Sequence, residues 1–186
     1  MSVQLLRRKF TVEQYQKMVE SGIIAEGERV ELIRGEIIQM AAIGRRHAAS
    51  VNRLVRLFSQ VIGDRAIISP QNPVQLDNNS EPQPDIALLH PRSDFYEAGH
   101  PQPQDIFLLV EVADTTVEAD REIKIPLYAE PGIIEVWLVD INAQCVEVYR
   151  QPTPTGYQSI QKFQRGQNLA IQAFLDINIT IDQILG

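Results

Sequence analysis

Cysteine is almost missing from this chain of 186 residues: Cys145 stands alone. A lone cysteine closes no disulfide within the chain, which excludes the disulfide-stapled secreted scaffolds and makes a reducing cytoplasm the expected setting. Cys145 lies in a strand-like run with no histidine near it in sequence, which suits a packed thiol rather than a nucleophile. Histidine is scarce too. His47, His90 and His100 follow no zinc-ligand spacing, so a histidine-based metal hydrolase is the weakest enzyme reading. No run approaches the ~18 consecutive apolar residues of a membrane span. The opening MSVQLLRRKF has too short an apolar patch, in the wrong order, for a signal peptide. Positive charge is in deficit: 17 Lys and Arg face 24 Asp and Glu, for a net charge of -7. That excludes a general nucleic-acid coat protein with its broad basic surface, and leaves room for a local basic groove.

What is present is ordinary globular material, 44% hydrophobic and 22% charged, with no repeat, low-complexity tract or linker. Residues 1–186 therefore read as one α/β domain. The chain is organised around Ile106 to Lys124. Ile106 to Val112 is an apolar run whose length and β-branched content predict a strand buried on both faces, with Glu111 near its end. A carboxylate there is costly unless a cation or hydrogen bonds compensate it. Asp114-Thr115-Thr116 then start a helix expected over Val117 to Glu130, bent at Pro126 and carrying Asp120 and Lys124.

Elsewhere, Thr11 opens a short amphipathic helix that Ser21-Gly22 stops. Arg29 to Ile33 and Glu36 to Met40 read as a hairpin turning on Arg34-Gly35, in which Glu31 by itself reads as a solvated edge-strand acid. The clearest helix runs from Arg45 to Ile62, with Val51, Leu54, Val55, Phe58, Val61 and Ile62 on the helical period and Gly63 at its end. Its first turn holds Arg45, Arg46 and His47, and Arg53 follows, a cluster suited to phosphate at a helix N-terminus. Short strands are expected at Ala66 to Ser69, Pro73 to Leu76 and Asp85 to Leu89. Ile134 to Asp140, Gln144 to Arg150 and Tyr157 to Phe163 read as three more, and Ile179-Thr180-Ile181 opens a closing helix.

Asp85 and Glu111 at two strand ends, with Lys124 on the next helix, are the parts needed for phosphodiester hydrolysis. Converging carboxylates hold a hard divalent ion, and a lysine orients or deprotonates water or stabilises negative charge. The other reading is structural: a turn acid at Asp85 and a buried ion pair of Glu111 with Lys124.

With these residues in place the sequence resembles the Uma2-type (DUF820) proteins, a family common in cyanobacteria and placed in the PD-(D/E)xK nuclease superfamily. The resemblance rests on Val30-Glu31-Leu32-Ile33 with Gly35-Glu36, His47, Pro84-Asp85 and Leu109-Val110-Glu111-Val112. It continues through Asp120, Lys124, Tyr128 and Glu135 to Asp140, covering nearly the whole chain in order. It implies a restriction-endonuclease-like core, a mixed central β-sheet with helices on both faces. It further implies a Mg²⁺- or Mn²⁺-dependent endonuclease acting on nucleic acid, DNA first, as a homodimer without membrane attachment. Asp85 and Glu111 would be metal ligands, the Val112 carbonyl a third and Glu31 an accessory acid. Arg45, Arg46, His47 and Arg53 would face the nucleic acid. The superfamily's lysine, two residues after the glutamate, is Ala113 here. Lys124 is the matching replacement, and Asp120, four residues earlier, is its expected partner. Ala113 and the net charge favour the rival reading, a nuclease fold that binds DNA without cutting it.

Overall fold

The structure is a computed structural model that describes residues 7–186. Its centre is a six-stranded sheet in the order β3-β4-β5-β6-β7-β8. The strands are β3 (Ile67–Pro70), β4 (Ile86–Leu89), β5 (Ile106–Ala113), β6 (Glu135–Asp140), β7 (Cys145–Thr153) and β8 (Gly156–Gln164). Only β5 and β6 pair in parallel, Glu111 opposite Leu138, and the other neighbours are antiparallel. A parallel pair needs a crossover connection. Here that connection is the segment carrying Asp120 and Lys124, so the crossover itself lays the lysine over the end of β5.

The expected burial of β5 is met: all its residues except half-buried Phe107 are buried. Side chains alternate along a strand, so the sheet has two cores. Leu108, Val110 and Val112 pack with Trp137 and with Leu54 and Phe58 of α2 (Arg45–Ile62), alongside Ile181 and Ile184 of α5 (Ile181–Leu185). Leu109 and Ala113 pack with Leu127 and Tyr128 of α4 (Ile125–Ala129) and with Ile33. Helices therefore cover both faces, and α2 has the bounds its apolar period predicts. A third, small cluster joins Val12 and Tyr15 of α1 (Val12–Glu20) to Leu32 of β1 (Val30–Ile33). β1 pairs with β2 (Glu36–Gln39) through a turn with positive φ at Arg34 and Gly35. Gly35 is demanded twice over: φ is +78, and a Cβ there would lie 2.8 Å from the Lys9 Cβ.

Three expectations need correction. Pro73 to Leu76 is not a strand. Val74 and Leu76 are buried, yet the N–H groups of Val74, Gln75 and Leu76 donate to Pro82, Pro101 and Ser80, three separated carbonyls rather than one ladder. The prolines spaced through this region cannot donate and so break up any continuous pairing. The helix after β5 is not an α-helix bent at Pro126. It runs without a break over residues 117–129, close to the expected span, as α3 (Val117–Ala119), a π-turn over Asp120–Lys124 and α4, so the irregularity is a π-turn just ahead of Pro126. Ile179 does not start the last helix. It lies in β10 (Phe174–Thr180), which pairs with β9 (Asn168–Ile171), and Thr180, the last residue of the strand, caps α5.

The β9–β10 pair is tied to the sheet by a buried charge. Glu135 is wholly buried and takes donors from Arg150 Nε at 2.9 Å, Trp137 Nε1 at 2.9 Å and the Gln172 N–H at 2.7 Å, while Arg150 also donates to the Ala170 carbonyl at 2.6 Å. Arg150→Met should cost about 3–5 kcal/mol by leaving Glu135 buried without its counter-charge. Adding Glu135→Gln, which keeps an acceptor and removes the charge, should recover much of the loss. Urea unfolding of the single and double variants measures both.

Candidate active site

Register brings the two strand-end acids together. Ile86 of β4 lies opposite Val110 of β5, so one step further Asp85 lies opposite Glu111, on the same sheet face as Leu109 and Ala113. The Asp85 Oδ2 accepts the Val112 N–H at 2.8 Å and lies 3.0 Å from His47 Nε2, while Oδ1 is 3.4 Å from the Gln71 amide. The Glu111 Oε1 accepts the Tyr128 hydroxyl and lies 3.3 Å from Lys124 Nζ. Lys124 Nζ is also 3.2 Å from Glu31 Oε2, which in turn accepts the Gln83 N–H at 3.1 Å. The Asp120 Oδ2 accepts the Thr116 hydroxyl at 2.7 Å. All of these carboxylates, with Lys124 and His47, line one cleft of about 640 Å³ between the β1–β2 hairpin, the start of α2 and the π-turn.

Two features differ from the sequence reading. Glu31 is not a solvated edge acid, because it is only 5% exposed and pairs with Lys124. Lys124 finds Glu31 and Glu111 rather than Asp120. The π-turn closes on a bond from the Ile125 N–H to the Asp120 carbonyl, five residues back, so positions four apart no longer stack as they do in an α-helix.

The crowding of charges shifts the protonation of Glu111, Asp120 and Lys124. Burial pushes Glu111 up to about 8, and the Asp85 and Asp120 carboxylates add to this against the pull of Lys124 and the Tyr128 hydrogen bond. Asp120 is raised by its burial, opposed by Thr116 and Lys124. Burial alone would lower Lys124, but Glu111, Glu31, Asp120 and Asp85 outweigh it and hold the ammonium charged. The hydrogen bond to Asp85 raises His47.

A cluster of this composition lacks positive charge, and its donors are hard oxygens, which suits Mg²⁺ or Mn²⁺. Among the described residues no three of His, Cys, Asp and Glu converge as a closed metal cage. Asp85 and Glu111 could hold an ion in an open site that keeps several waters, the usual habit of Mg²⁺.

The arginine cluster goes elsewhere. Arg46 bonds Asp114 at 3.0 Å and Asn142 at 2.9 Å, Arg45 is exposed, and Arg53 lies against Gly186. None of the three lines the cleft, whose basic residues besides Lys124 are Lys9, Arg29 and Arg34. Their signal in the sequence is their place at the two ends of β1 and just before α1. The histidines do not gather: His90 stacks on Phe107 with ring centroids 3.8 Å apart, and His100 lines a second cavity with Glu81. The sequence pattern gives Tyr128, part of the family resemblance, no role, yet its hydroxyl bonds Glu111. Its spacing of four residues from Lys124 is the local signal for it.

The model of the Uma2 family, described as "Putative restriction endonuclease", matches residues 12–182. The fold also matches the crystal structure of "a putative nuclease belonging to DUF820" from Anabaena variabilis ATCC 29413. That match has a TM-score of 0.71 and 19% sequence identity, and covers 95% of this chain and 97% of the other. No curated protein matches the chain. Among the described residues no helix is long and apolar enough to cross a membrane.

The raised Glu111 has a stability consequence in the metal-free protein. The folded-state value of about 8 lies above the ordinary 4.5, so the neutral acid favours folding. That contribution is complete below the unfolded value and is lost as pH rises through the folded one. Glu111→Gln should therefore be the more stable protein above pH 8, with the gap closing toward pH 4.5. Thermal unfolding with chelator across this range tests it.

Proposed function

The chain belongs to the Uma2 family, and from that premise we propose that it is a Mg²⁺- or Mn²⁺-dependent endonuclease that hydrolyses phosphodiester bonds of nucleic acid, with DNA as the first substrate. The observation that carries this reading is the convergence of Asp85, Glu111 and Lys124 in one cleft. Asp85 and Glu111 would hold the ion, with the Val112 carbonyl beside them. A bound ion supplies charge neutralisation at the phosphoryl oxygens and a water of lowered pKa.

The rest falls to the chain's own groups. Lys124 is held charged by its two glutamates, so it acts as a fixed positive charge toward the phosphate rather than as a proton acceptor. Glu31 is the accessory acid that aims this ammonium, and Tyr128 orients the Glu111 carboxylate through its hydroxyl. Asp120, anchored by Thr116, adds to the field that keeps Lys124 protonated. Lys9, Arg29 and Arg34 are the cations nearest an incoming backbone. Arg45 and Arg46 follow Gly44 of the cleft lining at the start of α2 without lining the cleft themselves, and Arg46 is held by Asp114 and Asn142. A homodimer would supply the second site that a double-strand cut requires, in the reducing cytoplasm that the lone cysteine suggests.

Ala113 keeps a second reading in view, a DNA-binding module without catalysis. Its methyl group is buried in the core beside Glu111, so the superfamily's usual lysine has no counterpart on β5. Lys124 takes over from the crossover.

Mn²⁺ titration with and without a short DNA duplex, followed by cleavage assays on duplex and single strands, tests the proposal. Wild type should bind and cut, while Asp85→Asn and Glu111→Gln should lose both. Lys124→Ala should lower kcat by about 10²–10³-fold, the usual cost of losing one electrostatic donor. Lys124→Arg should keep measurable activity with an unchanged pH profile, whereas near-total loss would mean that Lys124 is a base. DNA binding by wild type without Mn²⁺ binding or cleavage would select the binding module.

A further inference from the structure

We propose that His47 is the positioning residue of Asp85, fixing its Oδ2 and leaving Oδ1 as the oxygen that meets the ion, and that it is not a nucleic-acid contact. The inference rests on the metal reading above and assigns a role within it. His47 Nε2 and the Val112 N–H converge on the same carboxylate oxygen, at 3.0 and 2.8 Å, whereas Oδ1 has only the Gln71 amide at 3.4 Å, the long end of a hydrogen bond. Two good donors on one oxygen fix the plane of the carboxylate and hold its other oxygen toward the cleft.

Both ring nitrogens are thereby withdrawn from a nucleic acid. Nε2 is taken by Asp85, and Nδ1 is enclosed with no hydrogen-bond partner. An ionised carboxylate only accepts, so the hydrogen lies on Nε2, and in the neutral ring Nδ1 is a bare lone pair. No other polar contact orients the ring, and the bond to Asp85 is the only one the side chain makes among the described residues. The backbone beneath it is rigid: His47 stands in the first turn of α2, which is anchored through buried Val51, Leu54 and Phe58. A ring on a fixed arm, bonded only to a candidate ligand, is built to aim that ligand. Hydrogen-bond partners of ligating groups are commonly worth 10–100-fold in metal affinity or activity.

The test uses the full chain, with Mn²⁺ alone as the probe. His47→Phe keeps the ring and removes the donor, while His47→Gln restores an amide donor. Mn²⁺ affinity should fall about 10–100-fold in His47→Phe and recover in large part in His47→Gln. Hydrogen exchange at the Val112 amide, which shares the oxygen, should quicken in His47→Phe while Leu54 and Phe58 stay protected. Affinity for a short duplex in EDTA should not change. Unaltered Mn²⁺ affinity with weakened duplex binding would overturn the proposal and make His47 a substrate contact. Unaltered exchange at Val112 would overturn it as well. If wild type binds no Mn²⁺, the metal reading fails by itself, and the Val112 comparison still decides whether His47 holds Asp85.

Discussion

Lys124 is an ammonium buried between two glutamates that come from different parts of the fold, Glu31 on the β1–β2 hairpin and Glu111 on the central strand. A buried ion pair stabilises little by itself, since desolvating the charges offsets most of their attraction. What it does is fix geometry. With the lysine in place, the hairpin, the end of β5 and the crossover are held in one arrangement around it. Removing the lysine would strand two acids, and removing either acid would leave the other as sole partner.

The site is correspondingly expensive. Glu111 sits on a strand buried on both faces, and it is pushed toward its neutral form by its own desolvation before any neighbour acts. The surroundings offset that cost in part with Tyr128 and Lys124, while Asp85 is steadied by His47 and the Val112 N–H. Such a cluster makes poor sense as packing. Apolar residues of the same volume would suit the core at least as well. A concentration of carboxylates with too little compensating charge, opening on a cleft, is the condition in which a divalent cation binds with least rearrangement.

Ala113 and the π-turn are two sides of one arrangement. β5 carries Ala113 two residues after Glu111, and the ammonium beside Glu111 comes from the segment that returns the chain to the parallel strand β6. In a regular α-helix Lys124 would have stacked on Asp120. The π-turn rotates it toward the strand instead, and this is the most local deviation from regular structure within the site. Single-turn π-insertions often mark functional positions for this reason: they re-aim one side chain without disturbing the rest of the helix.

Much of the fold was legible in the sequence. α2 and β5 announce themselves by helical period and by an unbroken apolar run, because burial of one stripe or of two faces writes itself into neighbouring residues. The Arg34-Gly35 turn and the strand-end acids Asp85 and Glu111 are likewise local signals. Tertiary structure alone decided the rest. Which cation meets which acid, that Glu31 is buried, and that His47 turns to Asp85 across 38 residues of sequence depend on distances that no local pattern encodes. The same holds for Pro73 to Leu76, whose burial could be read but whose scattered backbone partners could not. Sequence determines the residues that must leave water, since transfer free energy belongs to each side chain. The fold determines what each buried polar group finds there, because a hydrogen bond or ion pair requires contact.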